Sequence, residues 1–138
     1  MIERWYLLTI LATICFALGS FFGKIGSLKD IPHRVYFFEA IGTLSVFTTF
    51  VLFYRDTIFS NFSINFPALL MGLIWGIGTV LFILALKYAK LSVLVPLSAV
   101  YPALTVVLAL IFLGERLGPR EIAGVVLAVI SAGLLAKT

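Results

Sequence analysis

Reactive side chains are scarce in this sequence. There is one cysteine, Cys15, inside an apolar run, so no intramolecular disulfide can form and a thiolate metal site has no second sulfur. There is one histidine, His33, beside Pro32, and therefore no second imidazole for a metal pair. Charge is also in short supply. Lys, Arg, Asp and Glu make up 12% of the 138 residues while 62% are hydrophobic, whereas a soluble domain carries about a quarter charged residues. So few charges cannot cover a water-exposed surface, which excludes a soluble enzyme, a nucleic-acid reader and a disordered tail. The reading is an integral membrane protein that is not an enzyme, with no cofactor, no metal and no nucleic-acid partner. The net charge of +4 is assigned to topology-setting loops.

What the chain has is length in its apolar runs. A bilayer core about 30 Å thick takes roughly 20 apolar residues at about 1.5 Å each. Five segments approach this: Trp5 to Gly23, Val35 to Tyr54, Pro67 to Leu86, Leu91 to Leu113, and a shorter one from Pro119 or Ile122 to Ala136. The last is expected to thin the bilayer or let Arg120 and Lys137 snorkel. Short connections make neighbouring spans antiparallel. The first run exceeds the apolar region of a secretory signal, continuing through Phe21 and Phe22. The sequon at Asn61, Phe62 and Ser63 is a short pattern given little weight.

Five spans put the termini on opposite sides of the membrane. Arg4, Arg55, Arg116 and Arg120 then lie with the amino terminus, and Lys24, Lys29, Arg34, Lys87, Lys90 and Lys137 lie opposite. This near balance permits insertion in both orientations, the alternative being a single orientation with the amino terminus outside.

Four spans carry a narrow polar face at helical spacing: Thr9, Thr13, Ser20 and Lys24; Glu39 and Thr43; Trp75 and Thr79 with Gly78 beside them; and Ser98, Tyr101 and Thr105. Polar groups away from water need partners or a wet cavity, so the four faces suggest a shared interior space. For any single hydroxyl the preferred account is a bond to its own helix. Glu39 is harder to dismiss. With a helix start near Pro32 it lies about 10 Å along the axis, which leaves two readings: an interfacial carboxylate beside Arg34, or a substrate or proton site open to reversible protonation.

Pro96 and Pro102 each remove a helix donor, so the fourth span is expected to be kinked, with Pro96 opening the helix. Such broken helices are frequent substrate sites in transporters. Gly19 with Gly23 and Gly72 with Gly76 are spaced for close backbone approach. Gly124, Ala128 and Ala132 make the last span a packing helix and a candidate interface. Cys15 reads as a small core residue.

The passage Ala85-Leu86-Lys87-Tyr88-Ala89-Lys90-Leu91-Ser92, with Val95-Pro96-Leu97-Ser98, Tyr101, Pro102 and Leu113-Gly114-Glu115-Arg116-Leu117, resembles the EamA family of the drug/metabolite transporter superfamily. Similarity is strongest from about Gly72 onward and looser through Gly19, Ser20, Phe21 and Lys24. The resemblance implies an all-α membrane protein of five transmembrane helices, a single domain over residues 1–138 that is half of an inverted-repeat ten-helix transporter. Because typical members are similar to two such units fused in inverted orientation, it further implies a homodimer, with antiparallel copies as one arrangement, in the plasma (inner) membrane.

The function implied is secondary transport or export of small organic metabolites or drugs by alternating access. The alternatives are a flippase for a lipid-linked headgroup and a non-transporting membrane scaffold. Substrate or proton binding is assigned to Glu39, with Trp75, Ser98 and Tyr101 lining the path. Glu115 and Arg116 are read as structural, at a turn favoured by Gly114 and Gly118.

Overall fold

The computed structural model describes residues 4–60, 62–98 and 100–135, so Asn61, Ala136 and Lys137 of the foregoing reading lie outside the described residues. Its elements are α1 (Arg4–Lys29), α2 (Pro32–Phe53), α3 (Arg55–Phe59), α4 (Phe66–Tyr88), α5 (Leu91–Ser98), α6 (Tyr101–Leu108), a π-helical turn (Ala109–Leu113) and α7 (Pro119–Leu135). The contacts group into two units, residues 1–88 and 89–138.

In the first unit the helix ends follow from their local chemistry. Asp30 accepts the Ile31 N–H at 2.8 Å and binds Arg34 one turn on at 2.9 Å, closing the turn from which α2 starts with Pro32 in its first position. The α4 start is capped by Asn65, whose side-chain oxygen accepts the Ala68 N–H at 3.1 Å. That leaves Pro67 in the first turn, where its missing donor costs nothing. Charged and polar flanking residues extend the helices beyond the apolar runs: α1 has 26 residues, so the helix outlasts the predicted end at Gly23 and reaches Lys29.

Two glycines set the packing of α1. A side chain at Gly23 would meet the Leu86 Cδ1 at 3.3 Å, and one at Gly26 would meet the Val35 Cγ1 at 3.4 Å. The absent Cβ atoms let α4 and α2 approach there. Phe16 beside Trp75 and Gly23 beside Leu86 advance in the same direction, so α1 and α4 run parallel, with α2 antiparallel to both. Ile83, Leu86 and Ser27 are buried at this junction, and Ser27 donates to the Gly23 carbonyl. Lys24 reaches the Leu86 carbonyl at 2.6 Å, one of the last carbonyls of α4 that lack a partner within the helix.

The other expected glycine contacts differ. Gly19, Gly72, Gly76 and Gly124 have no atom within 4 Å of a built Cβ. Spacing shows that a helix face is smooth, but it does not show that a neighbour lies against it. Large apolar side chains are exposed throughout, Phe53 at 82% and Tyr88 at 88% among them. In water such a surface would aggregate; in a bilayer it faces lipid.

In the second unit α5 continues through Pro96 to Ser98, and α6 starts at Tyr101 after a turn at Val100. Pro102 has no N–H to offer the Ser98 carbonyl, and the Val100 N–H bonds back only three residues, to Leu97 at 3.3 Å. The span then widens at its exit through the π turn, which Gly114 ends in the left-handed region at φ 65°. Glu115 and Arg116 occupy the following exposed non-helical stretch. Glu121 reaches back to accept the Gly118 N–H at 2.6 Å, half of a capping box that starts α7. α7 packs against α5 and α6, with Ala132 buried and Gly124 and Ala128 exposed.

Among the described residues, four segments are long and apolar enough to cross a membrane: α1, α2, α4, and Leu91–Leu113 taken together. The described part of α7 is 17 residues long.

Candidate functional site

One polar residue predicted on each of α1, α2 and α4 reaches a shared space in the first unit, whereas Thr9, Thr13, Lys24, Thr43 and Trp75 are not on its lining. Ser20, Glu39 and Thr79 line one open cavity of about 690 Å³, within the range of small-molecule sites. It extends along α1 from Cys15 to Lys29, a rise of about 21 Å at helical pitch, and on to Asp30. Its walls are mostly apolar, with the rings of Phe16, Phe22, Phe38 and Phe82 prominent.

Glu39 reaches the cavity from α2. The observed start of α2 at Pro32 puts it seven residues, about 10 Å, into the helix. Its carboxylate accepts a hydrogen bond from Thr43 at 3.0 Å, which holds the group upright along α2. Two more charged residues line the mouth. Asp30 is engaged by Arg34 at 2.9 and 3.1 Å, and Lys29 stands beside it on the last turn of α1. Among the described residues no three His, Cys, Asp or Glu side chains come together as metal ligands.

Most stripe hydroxyls do what isolated Ser and Thr do in apolar helices. Thr9, Thr13, Thr79 and Thr105 each donate to the carbonyl four residues back, at 2.8 to 3.1 Å. Thr43 departs from that pattern by turning to Glu39.

Trp75 stands behind the cavity wall. Its ring lies 6.4 Å from that of Phe16, tilted by 37°, so its contact with the cavity is through Phe16. Ser98 and Tyr101 belong to the second unit, on either side of the broken span. Ser98 donates to the Val95 carbonyl at 2.7 Å, and Tyr101 is 56% exposed.

The sequence reading missed the phenylalanines. Thirteen are spread along the chain, and their periodicity does not single out the four that share a wall. Cys15 is corrected. It is exposed and lines the cavity, because the face of α1 it occupies is left open by α2 and α4. A second hollow of about 680 Å³, lined by Ser45, Val46, Thr49, Phe50, Phe53 and Tyr54, follows the outer face of α2 and carries no charged group.

Comparison with known proteins agrees with this architecture. An uncharacterized protein of Methanocaldococcus jannaschii is 31% identical over 129 residues, covering 94% of this chain and 93% of that protein. No solved structure matches the chain. The EamA-like transporter family matches residues 3–137, across both units. With four apolar helices of spanning length, the chain is a multi-pass membrane protein and belongs to the EamA-like transporter family.

Proposed function

We propose that the chain is one half of a secondary transporter for small organic metabolites or drugs, completed by a second copy and working by alternating access in the cell membrane. The observation that carries this reading is the cavity of the first unit. It is large enough for a metabolite and contains a carboxylate well inside an apolar helix, yet one side is open. A groove of this kind has no function as a pore. Facing a second copy, it becomes a chamber.

Two further points support the dimer. The exposed apolar faces of α4 and α7, with Gly72, Gly76, Gly124 and Ala128 uncovered, leave smooth surfaces for a partner helix. The nearly even division of Lys and Arg suits two copies inserted in opposite senses. In this reading α7 is the fifth span, about 25 Å long over its described residues and anchored by Arg120. Glu39 holds substrate or a coupling proton. Trp75 supports the aromatic wall. Ser98 and Tyr101 are the polar and aromatic groups that the broken span of the second unit offers to the path, and the Pro96 to Pro102 segment provides its bend.

The test is flux in proteoliposomes together with terminal-tag accessibility in intact cells. The reading expects solute counterflow from the purified dimer and at least a tenfold loss in Glu39→Gln that still inserts and elutes as wild type. It also expects tags reachable from both sides. Unaltered flux in Glu39→Gln removes the assigned role, and a strictly single orientation removes the antiparallel dimer.

A further inference from the structure

The charges around the cavity narrow what it can hold. Asp30 is paired with Arg34, so its charge is already answered within the protein. Glu39 has a hydroxyl partner in Thr43, which orients the carboxylate without neutralising it. The remaining cation on the lining is Lys29, and the helix register separates it from Glu39. Gly26 faces Val35 where α1 and α2 cross. Glu39 lies four residues beyond that point in one direction and Lys29 three residues beyond it in the other, so the two are about 10 Å apart along the helices. An α-amino acid carries its ammonium and carboxylate on one carbon, and such a ligand would not link the two positions.

Around Glu39 and beyond it along α1 the wall is apolar and aromatic, supplied by Phe22, Phe38, Phe82 and, about 9 Å further on, Phe16. A carboxylate beside phenyl rings in an open, apolar-walled groove attracts a soft cation with a hydrophobic body. The carboxylate supplies the charge, and the ring faces supply cation–π and dispersion contacts. A strongly hydrated inorganic cation would gain little there, since the lining offers few oxygen ligands to replace its water.

We propose that the cavity of the first unit binds a small organic cation, an ammonium carrying an apolar or aromatic body, with its charge at Glu39. This rests on the transporter reading for its physiological purpose but not for its chemistry. The ligand lies along α1, its charge towards Glu39 and its body against the phenylalanine wall.

The test is calorimetric and thermal-shift titration of the purified full chain in detergent with benzyltrimethylammonium, its uncharged isostere neopentylbenzene and the anion phenylmethanesulfonate. The ammonium is expected to bind and raise the apparent melting temperature, with both comparators weaker by tenfold or more. Glu39→Gln is expected to lose at least tenfold in ammonium affinity, and Glu39→Asp to retain part of it. Equal ammonium affinity in a folded Glu39→Gln, or preference for the sulfonate, overturns the proposal. Should the variant fail to fold, the wild-type preference among the three probes decides the matter by itself. Ammonium binding without flux of any solute leaves this inference standing and defeats the transporter reading. Flux of a neutral or anionic solute without ammonium binding does the reverse.

Discussion

The two units solve the problem of helices in an apolar medium in different ways. In residues 1–88 the helices are long and continuous, two of them meet α1 at Gly23 and Gly26, and the polar chemistry is carried by side chains: Glu39, Ser20, Thr79 and the Lys24 bond to α4. In residues 89–138 the backbone itself is irregular. One span contains two prolines, a turn at Val100, a π turn and a left-handed glycine. The first arrangement suits a binding surface whose geometry is fixed. The second suits a segment that changes its bend, because its hydrogen bonds are already incomplete. Both jobs are needed in a transporter, and here they fall on different parts of the sequence.

Substitutions that act on one unit's device and leave the other's intact sharpen this contrast. The largest stability effect is expected at Gly23→Val, where new atoms meet Leu86 in an already close junction. A loss of about 1 to 3 kcal/mol is expected, read as a lower melting temperature in detergent. In the second unit Glu121→Ala removes the bond to the Gly118 N–H and is expected to cost about 0.5 to 1.5 kcal/mol, with the cavity's ligand affinity unaltered. Gly76→Ala, with open space around the site, is expected to stay within about 1 kcal/mol of wild type and to favour the helix. If Gly76→Ala were as damaging as Gly23→Val in the isolated chain, the assignment of helix contacts in the first unit would be wrong. If it were harmless to folding but broke the dimer, α4 would be part of the interface.

Much of this was legible in the sequence because the bilayer imposes simple rules. Length and apolarity located the helices, and prolines and glycines marked several of their ends: Pro32 at α2, Pro67 at α4, Gly114 and Gly118 around the last loop; the Asp30 and Asn65 bonds that close two of those ends emerged only with the fold. The polar stripes found Ser20, Glu39 and Thr79, which do converge. What periodicity could not supply was the neighbour on each face. Gly19 and Gly23 are equivalent in pattern, yet one opens on the cavity and the other touches Leu86, a difference set by where α4 crosses α1. Cys15 looked like core filler for the same reason. A break in the fourth span was expected at Pro96 and Pro102; α5 runs through Pro96, and the turn at Val100 lies beside Pro102, which has no N–H to give the Ser98 carbonyl.

Everything proposed for function depends on water and solute reaching the groove along α1 while the protein is in a bilayer. Cys15 is the chain's single cysteine and lines that groove, so the native protein carries its own probe. The direct measurement is the rate at which a membrane-impermeant maleimide modifies Cys15 in sealed membranes, with and without benzyltrimethylammonium. The account predicts modification in the bilayer that slows when the ammonium is present, with the protection lost in Glu39→Gln. Modification seen only after detergent extraction would mean that lipid fills the groove, and would contradict the account.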